Sequence, residues 1–435
     1  MNNTVLLKDY FSVYFSRFLR QDEGIISSER AENDPRNLFA RALRALRRKE
    51  LDGAMALLLQ AAESGHAQAA FGIGICKVLI AQVQKSREAG DYADAAMWLS
   101  YAADLDLVEA MVALAFFHLA EDNPLYNLEH SALWFQRAAE AGDTEGIYEY
   151  GCCFLSGRGV EQDFVQAAYW FEKGAAMDDT MSQFELGVQY VEGEGVEKDI
   201  ARAVSLFEKA VEKNHPGAMA ALAQLYYTGE GLEKDYSKAY ELYFKCYKLG
   251  NPKGNLGLAR MYLDNEAIAC DWQTALQLLS TDAAENFQHT RQLKSDILEQ
   301  LTEGMKKGDA FSCVQLGWAM LNGHTYTGDK AKAFSLISMA ARKDDPLARC
   351  LLRCYFSDQP NPNTASIDEC AEFFRTQMEH GQAWAARELL LMVLRDELEL
   401  SADETSQLFQ QVYSMGDLST REFIYDREQE ESAGN

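Results

Sequence analysis

Three closely similar segments recur in the chain: GRGVEQD at residues 157–163, GEGVEKD at 193–199 and GEGLEKD at 229–235. Their final aspartates are 36 residues apart, and each is followed by an amphipathic run of helix-forming residues. Aspartate before such a run is typical of a helix N-cap, and glycine suits the left-handed backbone that ends the preceding helix. The spacing predicts pairs of helices that repeat about every 36 residues.

A second helical run precedes each glycine loop, as in FELGVQY at residues 184–190. In this run we expect Leu186 and Tyr190 to fill the contact between paired helices, and Gly187 to let the neighbouring helix come close. Proline costs no hydrogen bond at the first position of a helix. Prolines at equivalent places therefore predict helix starts, at Pro216, Pro252 and Pro346.

These residues resemble the Sel1-like repeat, which is related to the tetratricopeptide repeat. Its pattern has Leu-Gly in the first helix, Gly-x-Gly-Val in the loop, and Asp and Ala-Ala around the second helix. The match is specific over residues 131–262, and weaker copies lie on both sides. The resemblance implies an all-α, right-handed α-solenoid of stacked two-helix repeats of about 36 residues each.

The strength of the repeat pattern divides the chain into five predicted regions. The apolar, aromatic residues near the N-terminus predict a helix that caps the solenoid, binds a partner as an arm, or makes weak contact with a membrane surface. The predicted regions are that helix with a linker (1–35), the repeat array (36–262, clearest over 131–262), an irregular helical segment (263–307), degenerate helical repeats (308–425) and a disordered tail (426–435).

The chain is strongly acidic, with 41 Lys and Arg against 67 Asp and Glu and a formal net charge of −26. Such a charge repels phosphate backbones and anionic lipid, so we expect no nucleic-acid partner. A basic protein would be attracted instead. The simpler alternative, that the charge only keeps the protein soluble, remains open.

Targeting signals and cysteine usage predict a cytoplasmic protein, and the Sel1-like resemblance implies a bacterial one. No run of about 20 apolar residues is present to span a membrane, and the N-terminal residues lack the basic region and cleavage site of a secretory signal. The nine cysteines do not recur at equivalent repeat positions, so we expect free, mostly buried thiols in a reducing compartment.

Motifs that carry catalysis or bind metals are not found in the sequence. It contains no HExxH, no paired CxxC and no P-loop. The glycine pairs follow helices rather than strands and have acidic neighbours, so they predict turns and not phosphate loops. Cys350 and Cys354 share one helical face, but two further ligands are not apparent. We therefore expect no catalytic residue, no metal and no cofactor.

The Sel1-like resemblance implies that a partner binds the concave face, which the first helices line. Aromatic side chains among polar ones are typical of a peptide or protein groove, although each could instead be buried between helices. Counting from the Leu-Gly pair predicts these partner-binding residues: Tyr148, Cys152, Leu155, Phe184, Val188, Glu192, Gln224, Tyr227, Arg260 and Trp318.

Several functions fit these expectations. The first is a non-catalytic scaffold or adaptor that binds another protein. The second is an immunity or antitoxin-type inhibitor, because a strongly acidic surface complements a basic toxin. A secreted effector and an enzyme with an unrecognised site are further alternatives, since a fold of this kind is a platform whose surface determines its function.

Overall fold

The computed structural model describes residues 7–20, 33–84, 89–264, 271–325, 329–359, 361–380, 382–394, 398–401, 404, 407 and 408. Within these ranges the chain forms 22 α-helices and no strand. The predicted tail at 426–435 and most of the predicted linker lie outside the described residues. The chain divides into two compact units, Met1–Ala210 and Val211–Asn435.

The first unit consists of an N-terminal helix followed by five two-helix pairs. Each even-numbered helix is the first of its pair. Helices α2, α4, α6 and α8 contact the second helix that follows them, and Gly187 of α10 meets Phe207 of α11. Helix α11 runs through the boundary between the units. The helices are α1 (Leu7–Leu19), α2 (Pro35–Arg47), α3 (Leu51–Glu63), α4 (Ala67–Val83), α5 (Ala89–Asp104), α6 (Val108–Leu119), α7 (Leu128–Glu140), α8 (Thr144–Ser156), α9 (Phe164–Ala176), α10 (Thr180–Glu192) and α11 (Ile200–Glu212).

The second unit continues the pairs, with an irregular part in its middle. Contacts again join successive helices, as between α12 and α13 and between α18 and α19. Its helices are α12 (Pro216–Thr228), α13 (Tyr236–Lys248), α14 (Pro252–Leu263), α15 (Trp272–Leu279), α16 (Asp282–Glu285), α17 (Gln288–Lys306), α18 (Ala310–Leu321), α19 (Lys330–Ala341), α20 (Pro346–Tyr355), α21 (Ile367–Glu379) and α22 (Ala383–Leu394).

Helix ends follow the residue types that the sequence analysis singled out. The carboxylate of Asp163 accepts hydrogen bonds from the backbone N–H groups of residues 165 and 166, and Asp199 and Asp235 cap their helices in the same way. Pro216, Pro252 and Pro346 each begin a helix. The first glycine of each loop ends the preceding helix with a positive φ, which is 75° at Gly193. Local sequence therefore sets the helix boundaries.

The paired helices approach closely at one glycine of the first helix, which we call the seam glycine. A Cβ atom added at Gly151 would lie 2.6 Å from Cε1 of Phe171, and one at Gly187 would lie 2.5 Å from Cε1 of Phe207. Gly74 and Gly317 meet their second helices in the same manner. A side chain at the seam would force the pair apart, and overpacking of this kind costs about 1–3 kcal/mol.

The irregular part of the second unit lies between α14 and α18. Helix α15 has only 8 residues, whereas the second helices α9, α11 and α13 have 13 each. The buried amide of Asn255 donates to the carbonyl of Leu278 and to the hydroxyl of Thr281, each at 2.9 Å. The buried ammonium of Lys294 pairs with Glu285 at 3.0 Å. Polar contacts replace the regular repeat contacts in this part of the unit.

The cysteines of the described residues are free thiols. Six of the eight are buried, and Cys152 and Cys354 are half-buried. Burial raises the pKa of the Cys76 thiol in α4 to about 12, and it raises the pKa of Cys246 in α13 to the same value. Such thiols are protonated at neutral pH and behave as small apolar core residues.

Candidate partner-binding surface

One side of each first helix carries no second helix, and we call it the first-helix face. In the first unit it is built from equivalent repeat positions around the seam glycine: three and two residues before it, and one after it. In α6, Ala115 occupies the place of the seam glycine. The residues that define the first-helix face of the first unit are Phe71, Gly72, Ile75, Val112, Ala113, Phe116, Tyr148, Glu149, Cys152, Phe184, Glu185 and Val188.

Helix α1 lies on this face, against α4 and α6. Its aromatic side chains recur at helical spacing, and Phe11, Tyr14 and Phe18 are all buried. A Cβ at Gly72 would lie 3.0 Å from both Cε atoms of Phe18 and closer still to Cζ, so the glycine admits this ring. The ring-centroid distances are 3.9 Å for Tyr10–Phe116, 6.3 Å for Phe11–Phe117, 6.1 Å for Tyr14–Phe71, 6.3 Å for Phe18–Phe71 and 5.7 Å for Phe18–Phe39.

Polar contacts hold the middle and the C-terminal end of α1. The hydroxyl of Tyr14 donates to the Oε2 atom of Glu145 in α8 at 3.2 Å. The guanidinium of Arg47 in α2 donates to the backbone carbonyl of Leu19 at 2.8 and 3.0 Å, and so satisfies an acceptor at the end of α1. Helix α1 therefore crosses the first helices from α8 to α2. It is not confined to the end of the repeat array, where the sequence analysis considered a cap.

The part of the face formed by α8 and α10 is aromatic and acidic. The ring of Tyr148 lies 6.1 Å from that of Phe171 and is half-buried. Beside it, the side chain of Glu149 is 18% exposed and pairs with Arg158 at 3.4 Å. Burial, together with the nearby charge of Glu145, raises the pKa of Glu149 above its usual value even though Arg158 acts against this shift. Arg158 therefore compensates the negative charge of Glu149 only in part.

The residues predicted in the first unit lie on two neighbouring first helices. Those of α8 are half-buried, and burial raises the pKa of the Cys152 thiol above its usual value. Those of α10 are half-buried except Glu192, which is exposed. The structure brings these predicted residues together: Tyr148, Cys152 and Leu155 on α8, and Phe184, Val188 and Glu192 on α10.

The predicted residues of the second unit have different surroundings. Gln224 accepts a hydrogen bond from the Tyr243 hydroxyl at 2.8 Å, and Tyr227 donates to Asp264 at 2.7 Å. Arg260 is exposed.

Trp318 requires a correction. Its side chain is 1% exposed, and Trp384 of α22 lies against it with ring centroids 5.5 Å apart. Helix α22 brings an aromatic residue over this position from far along the chain, so Trp318 belongs to the core of the second unit.

Sequence reasoning missed two contributors to the face. One is α1, for which the sequence analysis left open a cap, a partner-binding arm and a membrane contact, but not a position on this face. The other is the position two residues before the seam glycine, which holds Gly72 in α4, Glu149 in α8 and Glu185 in α10. The signal was present in the sequence as Glu-Tyr-Gly at 149–151 and Glu-Leu-Gly at 185–187, against Gly-Ile-Gly at 72–74.

Neither a metal cluster nor a membrane-spanning helix is found in the part of the chain that the structure describes. There, His, Cys, Asp and Glu side chains form no group of three or more that could hold a metal ion. None of the described helices is both long enough and apolar enough to cross a bilayer.

The fold defines an α-solenoid built from stacked two-helix repeats, as the sequence analysis predicted. The Sel1 repeat family pattern matches six segments, at residues 86–107, 108–143, 144–179, 180–215, 216–251 and 310–345. The chain therefore contains six Sel1 repeats, which confirms the resemblance. Solenoids of this family generally serve as scaffolds for protein–protein interaction.

Two solved structures show the same fold. One is a protective antigen present in uropathogenic Escherichia coli strains that displays an SLR fold; it has 21% identity and a TM-score of 0.50, over 94% of this chain and 79% of that chain. The other is a Sel1 repeat protein from Oxalobacter formigenes, with 20% identity and a TM-score of 0.53, over 81% of this chain and 95% of that chain. A comparison with curated proteins finds no match.

Proposed function

We propose that the protein is a non-catalytic, cytoplasmic scaffold or adaptor that binds another protein on its first-helix face. One observation carries the proposal. In the first unit this face already holds a helix, α1, through buried aromatic side chains and a hydrogen bond to Glu145. A surface that packs an amphipathic helix of its own chain has the chemistry to pack one from a partner.

The charge of the chain supports a basic partner. The net charge of −26 favours fast encounter with a positively charged protein and disfavours acidic competitors. The same acidity supports one alternative function, the inhibition of a basic toxin. The free thiols of the described residues are compatible with a reducing compartment.

The test is affinity capture of the tagged full chain from its own cells, with mass spectrometry, at about 50 mM and about 500 mM salt. A second bait carries Tyr148→Ala and Phe184→Ala. A control bait carries Tyr169→Ala, which removes an aromatic ring that is 48% exposed on the second helix α9. Thermal unfolding of each bait shows that it is folded.

We expect one dominant partner that the control retains and the double variant loses. A toxic basic partner would favour the inhibitor alternative over the adaptor. If the double variant retains the partner as well as the control does, the first-helix face is not the binding surface. Capture of no partner at either salt concentration would contradict the scaffold function itself.

A further inference from the structure

The first-helix face of the first unit continues beyond α1 onto α8 and α10. We call this continuation the acidic-aromatic patch and define it by Glu145, Tyr148, Glu149, Cys152, Phe184 and Glu185. The charges of Glu149 and Glu185 both raise the pKa of the Tyr148 hydroxyl, and they raise that of the Cys152 thiol as well. These side chains of α8 and α10 therefore lie close to one another. Two first helices thus contribute carboxylates around a half-buried aromatic and thiol surface.

The patch is continuous with an interface that the structure already contains. Glu145 accepts the hydrogen bond from Tyr14 of α1. The charges of Glu145 and Glu149 also contribute to raising the pKa of the Tyr10 hydroxyl of α1. The contact of α1 with α8 therefore includes one residue of the patch, Glu145.

The docking of α1 shows what this face accepts. Its anchors, Phe11, Tyr14 and Phe18, are spaced by three and four residues, which places them on one side of a helix. Tyr14 and Phe18 pack on Phe71, and Tyr10 packs on Phe116. Phe71 and Phe116 occupy the same repeat positions as Tyr148 and Cys152. Stacked repeats place equivalent positions on successive first helices, and Tyr148 and Phe184 occupy these positions in α8 and α10.

The charges at the patch differ from those under α1. Cations act on two of its carboxylates, Glu149 and Glu145: Arg158 is 3.4 Å from Glu149, and Arg17 of α1 lowers the pKa of Glu145. Burial nonetheless raises the pKa of both Glu145 and Glu149 above their usual values. An arriving ammonium or guanidinium group would stabilise the ionised carboxylates, whereas a carboxylate would be repelled.

We infer that the acidic-aromatic patch binds a basic amphipathic helix of a partner protein, end to end with α1. The inference deepens the proposed function and rests on it. Apolar or aromatic anchors of that helix, spaced by three and four residues, pack on Tyr148 and Phe184. Lys or Arg residues beside the anchors pair with Glu149 and Glu185.

The direct test uses two synthetic peptides of about 18 residues, long enough to form a helix when bound. Both carry Phe and Leu at the anchor spacing of α1; one has Lys beside the anchors and the other has Glu. Fluorescence anisotropy measures the affinity of each labelled peptide for the full chain. We expect the Lys peptide to bind at least about tenfold more tightly at low salt, and the difference to shrink in about 500 mM salt.

Matched charge variants locate the peptide. The site variant carries Glu149→Gln and Glu185→Gln, and the control carries Glu161→Gln and Glu208→Gln at exposed positions away from the patch. Both lose the same formal charge, so a general field effect would be equal in the two. We expect the site variant to weaken binding of the Lys peptide about tenfold and the control less than about twofold.

Three results would overturn the inference. The two peptides could bind equally, or neither could bind, or both charge variants could weaken binding to the same extent. A further variant, Gly72→Ala, weakens the docking of α1. If this variant binds the Lys peptide more tightly and the site variant has no effect, the peptide occupies the place of α1 instead. The proposed function fails separately, if the captured partner is insensitive to Tyr148→Ala and Phe184→Ala.

Discussion

Over α4 and α6 the first-helix face of the first unit is filled by α1, whereas over α8 and α10 it carries the acidic-aromatic patch. The backbone is the same repeat in both regions, with seam glycines at Gly74 and Gly151. The two regions differ at the position two residues before the seam. This position is Gly72 in α4 and Ala113 in α6, but Glu149 in α8 and Glu185 in α10.

The difference shows how one position in each repeat selects what the face can hold. A glycine or alanine leaves room for an aromatic ring and adds no charge that would need desolvation. A glutamate narrows the space and adds a charge that is costly to bury without a cation. The filled region therefore suits the aromatic side of α1, and the acidic region suits a helix that supplies positive charge.

Among the variants that test this comparison, Phe18→Ala is expected to lower the free energy of unfolding the most. The ring is 1% exposed between Phe39 and Phe71, and truncation of a fully buried aromatic residue costs about 3 kcal/mol or more. Urea unfolding of the full chain, followed by circular dichroism, measures the loss. The control is Val13→Ala in the same helix, where the side chain is 51% exposed and the change is expected to be below about 0.5 kcal/mol. Equal losses in the two variants would contradict the docking of α1.

Replacing either of two glycines by alanine is expected to change the free energy of unfolding by a smaller amount, with opposite signs at the two positions. Gly72→Ala places a methyl group against Phe18 and should cost about 1–2 kcal/mol, although alanine favours the helix. Gly53→Ala in α3 meets nothing within 4 Å, so it should stabilise the protein by about 0.5–1 kcal/mol. Thermal unfolding distinguishes the two. Stabilisation by both variants would show that Gly72 is not required for the close approach of α1.

The smallest effect is expected from Glu149→Gln, and it depends on pH. The folded pKa of Glu149 lies above its unfolded value, because burial and Glu145 disfavour the charged form. The stability that this group contributes is therefore present below its unfolded pKa and is lost as the pH rises through the folded pKa. We expect the variant to be more stable than the parent by up to about 1 kcal/mol at about pH 8, and by less at about pH 5.5.

Urea unfolding at the two pH values measures this difference. The control is Glu161→Gln, which replaces an exposed glutamate of the loop between α8 and α9. A gap between the Glu149 variant and its parent that widens as the pH falls would contradict the assigned direction of the pKa shift.

Much of the fold could be predicted because its determinants are local. The caps at Asp163, Asp199 and Asp235 lie within three residues of the groups they bind, and they recur with the repeat. The resemblance also placed Tyr148 and Phe184 on neighbouring first helices. Regular spacing is informative because the two helices pack in the same way in every repeat.

The rest depended on contacts between residues far apart in the chain. The aromatic spacing of α1 indicated a helix with one apolar side, but nothing local stated which surface covers that side. The burial of Trp318 likewise depends on Trp384, which a later helix brings to it. A pattern read within one repeat cannot show which other segment lies on top of it.

The buried thiols provide a way to measure how often each unit opens. With a pKa of about 12, only about one in 10⁵ of the Cys76 thiols in the first unit, or of the Cys246 thiols in the second, is ionised at pH 7. The sulfur atoms are also inaccessible to a reagent while their helices stay packed. The rate at which each thiol is alkylated therefore reports how often its own unit opens, without any added label.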